Sequence, residues 1–320
     1  MTVMKTKTGV LLVIPAVAIA LAVMTLPASA QGRGGGGRGG GGRGGGAAAP
    51  AVTPGPIPRT PDGHPDLRGV FSGMGAGLTH TVILEDHASG FGIRGGKSLI
   101  IDPPDGKIPY LPAALVERDR RREDINAYED PVGHCEFYDI GRLHSFAQRF
   151  FYTGGNIAIA AQEQIVRVVD MNRRQHLPAS IRLWLGDPIG WWEGDTLVVD
   201  STNFNAKPRM ALGGDFYSVN AHVVERFTMT DSNTIKWTMT ITDPTVFTRP
   251  WTMTSAAPMT RQVEGSNDWN RALRLLDPAW EHDCHEGNVV LRHMRNIYEQ
   301  TYGGKTRQQV TPGSVPAPAR

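Results

Sequence analysis

The sequence predicts a mainly β protein, an antiparallel meander that closes into a barrel or sandwich, with one short peripheral helix. Three observations carry this. In N-T-I-K-W-T-M-T-I-T, Ile235, Trp237, Met239 and Ile241 alternate with Lys236, Thr238, Thr240 and Thr242, which is the period of two of a half-buried strand. Strand-patterned runs are joined by short turn signals, Glu193-Gly194-Asp195 and Asp231-Ser232-Asn233, which fold the chain into hairpins. No helical pattern separates one hairpin from the next, and this favours a meander that curls on itself.

Along the chain, residues 1–30 read as a secretory signal. Lys5 and Lys7 precede an apolar run from Val10 to Met24, and Ala28-Ser29-Ala30 supplies the small residues of a cleavage site. The run is shorter than the roughly 20 residues of a membrane span. Cleavage near Ala30 predicts a mature chain beginning at Gln31, in the periplasm or secreted. Residues 31–58 read as a disordered linker in which R-G-G-G-G recurs at Arg33, Arg38 and Arg43 before Ala and Pro take over. Its expected reach is about 30 Å. Three spaced arginines allow at most weak contact with an anionic envelope surface. A formal net charge of +2 gives no electrostatic reason to expect nucleic acid. Residues 59–303 read as a single β-rich domain, and Pro-rich residues 304–320 as a disordered tail. About 250 residues are enough for one full core.

Within the domain, Pro112 opens the one credible helix, because its missing N–H is unpaired in a first turn anyway. Arg118, Arg120, Arg121 and Arg122 interleave with Glu117, Asp119, Glu123 and Asp124. That mixture predicts a solvated face laced with ion pairs. A-I-A-A-Q-E-Q-I-V-R-V-V-D and I-G-W-W-E-G-D-T-L-V-V-D each predict a strand pair, and A-H-V-V-E-R-F-T-M-T leads into the alternating run. Trp184, Trp191, Trp192, Trp237 and Trp251 are expected in the core and at the rim.

Several segments in one order carry a family resemblance. They are P-D-L-R-G-V-F (Pro65–Phe71), G-K-I-P-Y-L-P-A-A (Gly106–Ala114), E-D-P-V-G-H-C (Glu129–Cys135) and I-G-W-W-E-G-D-T-L-V-V-D-S-T-N-F-N (Ile189–Asn205). H-V-V-E-R-F, I-T-D-P-T-V-F-T-R-P-W and C-H-E-G-N (Cys284–Asn288) follow. Together they resemble a family of exported, largely uncharacterised bacterial proteins, known mainly from Acidobacteria and soil Proteobacteria. The resemblance implies a calycin-like barrel and transfers no activity. The chain departs from the family at W-L-G-D-P-I-G-W-W and at His282-Asp283, where the family usually carries tyrosine.

The densest chemistry is W-E-H-D-C-H-E-G-N, Trp280–Asn288. Cys135 and Cys284 are the only cysteines, and export allows them to pair as a disulfide. Closing a loop of about 150 residues is worth roughly 3–5 kcal/mol in the chain-entropy model. A metal is the alternative, with His282, Cys284 and His285 as ligands and Cys135, His134 or His144 completing the set. No spacing matches a zinc module, and no cofactor motif is predicted.

The remaining candidates belong to a cavity. His222 and Glu225, three apart on one strand, face opposite sides. Val223, Glu225 and Phe227 make the better inward face, so Glu225 is expected to be buried with a partner such as Arg142, Arg182 or His285. His285, Glu286, His222 and Glu225 are the candidate acid/base residues, and a structural ion pair closing the barrel is the competing role for Glu225. Asp200, Asn203, Trp192 and Arg226 are the candidate ligand contacts. Two functions follow: an exported barrel holding a small organic ligand, or a lyase, isomerase or hydrolase moving protons in the same hollow. The partner in either case is a small-molecule ligand or substrate.

Overall fold

The computed structural model describes residues 53–73, 83–88, 95–123, 136–144, 147–161, 165–211 and 213–262. The signal and tail segments, most of the linker, and the cluster that includes His282, Cys284, His285 and Glu286 lie outside the described residues, as does Cys135. The last part of the linker, 53–58, is described and lies on a sheet turn. There Gly55 N–H donates to Ser232 Oγ at 2.9 Å, and Ser232 N–H returns a bond to Gly55 O at 3.0 Å.

The described chain is mainly β. Its elements are β1 (Gly69–Ser72), β2 (Ile100–Asp102), α1 (Pro112–Glu123), α2 (Ile140–Leu143), β3 (Gln148–Thr153), β4 (Asn156–Ala160) and β5 (Val166–Asp170). They continue with β6 (Asp187–Glu193), β7 (Thr196–Thr202), β8 (His222–Asp231), β9 (Thr234–Thr242), β10 (Trp251–Thr254) and β11 (Met259–Arg261). The sheet order is β11-β1-β3-β4-β5-β6-β7-β8-β9-β10-β2, and β11 also pairs with β9. That pairing closes nine strands into a barrel and leaves β10 and β2 as an extension. Strand β9 serves both, because Ile235 pairs with Met259 of β11 while Thr238 to Ile241 pair with β10.

Parity explains one irregularity. Going once around a ring, strand direction must return to itself, so the number of antiparallel neighbours must be even. A nine-stranded ring therefore cannot be antiparallel throughout. The exception is β5–β6, which is parallel and joined at a single pair, Asp170↔Ile189. The ladders on either side are complete: β4 pairs along all of β5, and β6 pairs along all of β7.

The hairpin signals sit where expected. Gly194, at φ 57°, turns β6 into β7, a left-handed conformation in which glycine meets no Cβ penalty. Alternation decides the interior. Val223, Phe227 and Met229 of β8 and Ile235, Trp237, Met239 and Ile241 of β9 are all buried, and the registers Leu197↔Phe227 and Val199↔Glu225 align β7 with that face. Phe71, Phe150 and Phe227 meet edge to face across the core. Helix α2 is buried throughout and follows Asp139, which caps it by accepting from Gly141 N–H at 2.7 Å. Gln148 Nε2 donates to Leu143 O at 3.0 Å and ties this helix to the start of β3.

Helix α1 begins at Pro112 as the sequence predicts, and Glu117 pairs with Arg120 and Arg121 at 2.8 and 2.7 Å. These bonds hold the Glu117 carboxyl down at about 2. Arg118 differs from the expected solvated face. It is buried, lies over the Tyr110 ring at 5.3 Å, and reaches Glu85 at 3.2 Å and the fully buried Asp215 at 3.7 Å. A carboxylate without water needs cations close by, so the helix docks through one of its own arginines.

Candidate functional site: the barrel mouth and its polar surroundings

The hairpin β3–β4, the end of β5 and the end of β6 lie at one end of the barrel. Strand alternation points Tyr152, Ile157 and Trp192 inward there. With Met171, just beyond β5, they line a cleft of about 460 Å³. The segment before β1 crosses this mouth and is fastened at both sides. Tyr152 Oη donates to Pro65 O at 2.8 Å, and Arg59 pairs with Asp195 in the β6–β7 turn at 2.5 Å. It carries His64, whose ring stacks on Trp192 with centroids 5.2 Å apart and planes 9° from parallel. Asp62, Asn156 and Arg174 add polar groups to the same cleft. An apolar floor with a few convergent polar groups is the usual make-up of a small-molecule site.

The interior also holds buried polar groups. Glu225 is buried, as predicted, but its partner is none of the three expected. Arg167 Nη2 donates to Glu225 Oε2 at 2.5 Å, and Trp237 Nε1 donates to Oε1 at 3.2 Å. Arg182 instead donates to Val219 O at an exposed position. Arg142 is buried with its guanidinium 4.5 Å from the Tyr138 ring centroid. His285 lies outside the described residues. Both Glu225 oxygens are engaged, so among the described residues it acts as one half of a buried ion pair. Beside this pair, Tyr217 Oη donates to Asp139 Oδ2. Burial pushes the Asp139 carboxyl above its ordinary value, against the opposing pull of the Tyr217 bond. Burial and the neighbouring Asp139 charge push Tyr217 well up. His144 stacks on Trp237 at 4.6 Å and 9°.

The outer face carries a second cluster. His222 points outward, as the period of two requires, and is half exposed. Its Nε2 lies 2.7 Å from Asp200 Oδ1. His176 Nε2 approaches the same oxygen at 3.2 Å, while its Nδ1 lies 3.3 Å from Asp187 Oδ2. Asp187 also accepts from Arg173 at 2.7 Å and from Leu177 N–H at 2.8 Å. Burial acts to raise Asp200, but the His222 bond and the charges of His222 and His176 outweigh it, and the carboxyl is held below its ordinary value. The same bond raises His222, against its own partial burial. Among the described residues, no group of three or more His, Cys, Asp or Glu is arranged to hold a metal ion.

The predicted residues therefore separate. Trp192 lines the mouth. His222 and Asp200, assigned different roles from sequence, touch each other outside the barrel. Asn203 is buried at φ 63° and donates to Leu177 O and Pro178 O at 2.9 and 3.3 Å, so it holds the loop that carries His176. Arg226 pairs with Glu193 at 2.6 Å on the outer face, an exposed pairing worth little. Sequence reasoning missed Arg167, His176, His64 and Tyr152. Arg167 sits in V-R-V-V-D, where Val166 and Val168 are the exposed residues and the arginine is inside; polarity alone assigns those faces the other way round. The other three meet their partners only through long-range loop contacts. Searches of family models, of curated proteins and of solved structures found no match to this chain.

Proposed function

We propose that the protein binds a small ring-bearing organic molecule, aromatic or saccharide, at the mouth of its barrel. The supporting observation is the Trp192–His64 stack set above inward-facing Tyr152, Ile157 and Met171, with Asp62, Asn156 and Arg174 at the edge. Flat apolar faces hold a ring by stacking and dispersion. The polar edge orients hydroxyl or acid groups, with Arg174 offering donors and Asp62 offering acceptors. In this reading the leader exports the chain, so the ligand is met outside the cytoplasm. N-terminal sequencing of the mature protein is then expected to begin at Gln31, and an uncleaved start sinks that part.

Isothermal calorimetry against a panel of monosaccharides and small phenolic acids tests the binding. At least one saturable isotherm is expected, weakened roughly tenfold or more, about 1.4 kcal/mol, in W192A. No saturable member, or equal affinity in W192A, refutes the site. The acid/base alternative rests on His285 and Glu286, since Glu225 is held by Arg167 and Trp237. If turnover of any panel compound appears and H285A abolishes it, the protein is an enzyme and not only a binder.

A further inference from the structure

The single pair that joins β5 to β6 leaves the two strands apart on its N-terminal side. A cleft of about 550 Å³ opens there. Its lining is mainly apolar: Ile165 just before β5, Val166 and Val168 on it, Leu183 and Trp184 from the loop before β6, and Phe137, which meets Trp184 edge-on at 6.2 Å, while Asp187 at the start of β6 is held by Arg173. Val166 and Val168 are 53% and 52% exposed, a concentration of bare aliphatic surface that an ordinary strand face avoids. Arg167, between them, also lines the cleft, and strand alternation turns its side chain inward toward Glu225. That side chain is 4% exposed. It donates through Nη2 to Glu225, and among the described residues its buried Nε has no hydrogen-bond partner. A buried N–H without an acceptor is costly, and a bound oxygen relieves the cost. Among the described residues none is shared with the cleft at the mouth.

We infer that this seam is a second ligand site, taking a small apolar molecule that carries one neutral oxygen acceptor, such as a ketone, ester or amide. Charge decides for neutrality. Glu225 already balances Arg167, and a second carboxylate beside it is repelled where the dielectric is low. A carbonyl oxygen accepts the Nε–H and adds no charge. A pure hydrocarbon covers the valines but leaves that N–H unpaired.

Three naphthalene probes test this on the full mature chain: Prodan, a neutral ketone; 1-anilinonaphthalene-8-sulfonate, an anion; and naphthalene itself. Prodan is expected to bind saturably, one per chain, with blue-shifted emission, and more tightly than either of the others. V168W fills the cleft from an exposed strand position and is expected to weaken Prodan roughly tenfold or more, while W192A leaves it unchanged. Removing Arg167 alone strands Glu225 and risks unfolding, so the donor is tested in R167M/E225M, which removes both charges together. There Prodan is expected to lose its advantage over naphthalene. Prodan binding that survives V168W, or that is lost in W192A, overturns the site. A tighter sulfonate, or an undiminished ketone preference in R167M/E225M, overturns the assigned chemistry.

Discussion

The wall formed by β6 to β9 and the seam between β5 and β6 are parts of one sheet built to different standards. In the wall, β6 and β7 pair along their whole length and β8 pairs with β9 from His222↔Thr242 to Asp231↔Thr234. Its inward side chains are mostly large and apolar, and the buried charge among them, Glu225, is met by Arg167 of β5. At the seam one residue pair does the joining, and the inward side chain of β5 nearest the opening is an arginine. The lesson is that closure of an odd-numbered ring forces a parallel neighbour somewhere. A short parallel contact is weaker per residue than an antiparallel ladder, and at this one two exposed valines flank the inward Arg167.

Four measurements break or sharpen that contrast. The largest expected effect is that of R167M alone, which leaves Glu225 buried and unpaired and is expected to cost about 3–5 kcal/mol. In R167M/E225M most of that loss should be recovered; urea unfolding that shows both variants equally damaged breaks the ion-pair account. Next is G190A. A Cβ there meets Val169 Cγ1 at 2.6 Å and Met171 Sδ at 2.8 Å, so β5 and β6 approach only because residue 190 lacks a side chain. Overpacking at this point is expected to cost about 1–3 kcal/mol, and a variant as stable as wild type removes Gly190 from the closure.

Third, N203A releases Leu177 O and Pro178 O and places alanine at φ 63°. A loss of about 1–2 kcal/mol is expected, with His176 amide exchange faster than in wild type. Unchanged exchange there separates Asn203 from the loop. The smallest effect is the pH dependence of the outer cluster. His222 is raised in the fold, so its contribution is full below its unfolded value of about 6.5 and fades as pH climbs through the higher folded value. Asp200 is lowered, so its contribution is present above about 4 and fades as pH falls. The stability difference between wild type and H222Q should therefore peak between these limits. A flat difference across the window leaves the His222–Asp200 bond without energetic weight.

The sequence by itself determined the elements whose information is local. The alternation in β8 and β9 fixed which side chains turn inward and buried Glu225. Pro112 began α1, Gly194 and Asp231-Ser232-Asn233 placed the turns, and repeated hairpins made the class mainly β. Only the tertiary structure decided which distant groups meet. It gave Glu225 to Arg167, drew Arg118 from the expected solvent face onto Asp215, brought His222 and His176 to one oxygen of Asp200, and stacked His64 on Trp192. It also chose the strand count, and with it the position of the seam. The physical reason is that a pleated strand states its facing in its own residues, whereas the identity of a partner depends on register and ring closure, which are set by the packing of the whole sheet.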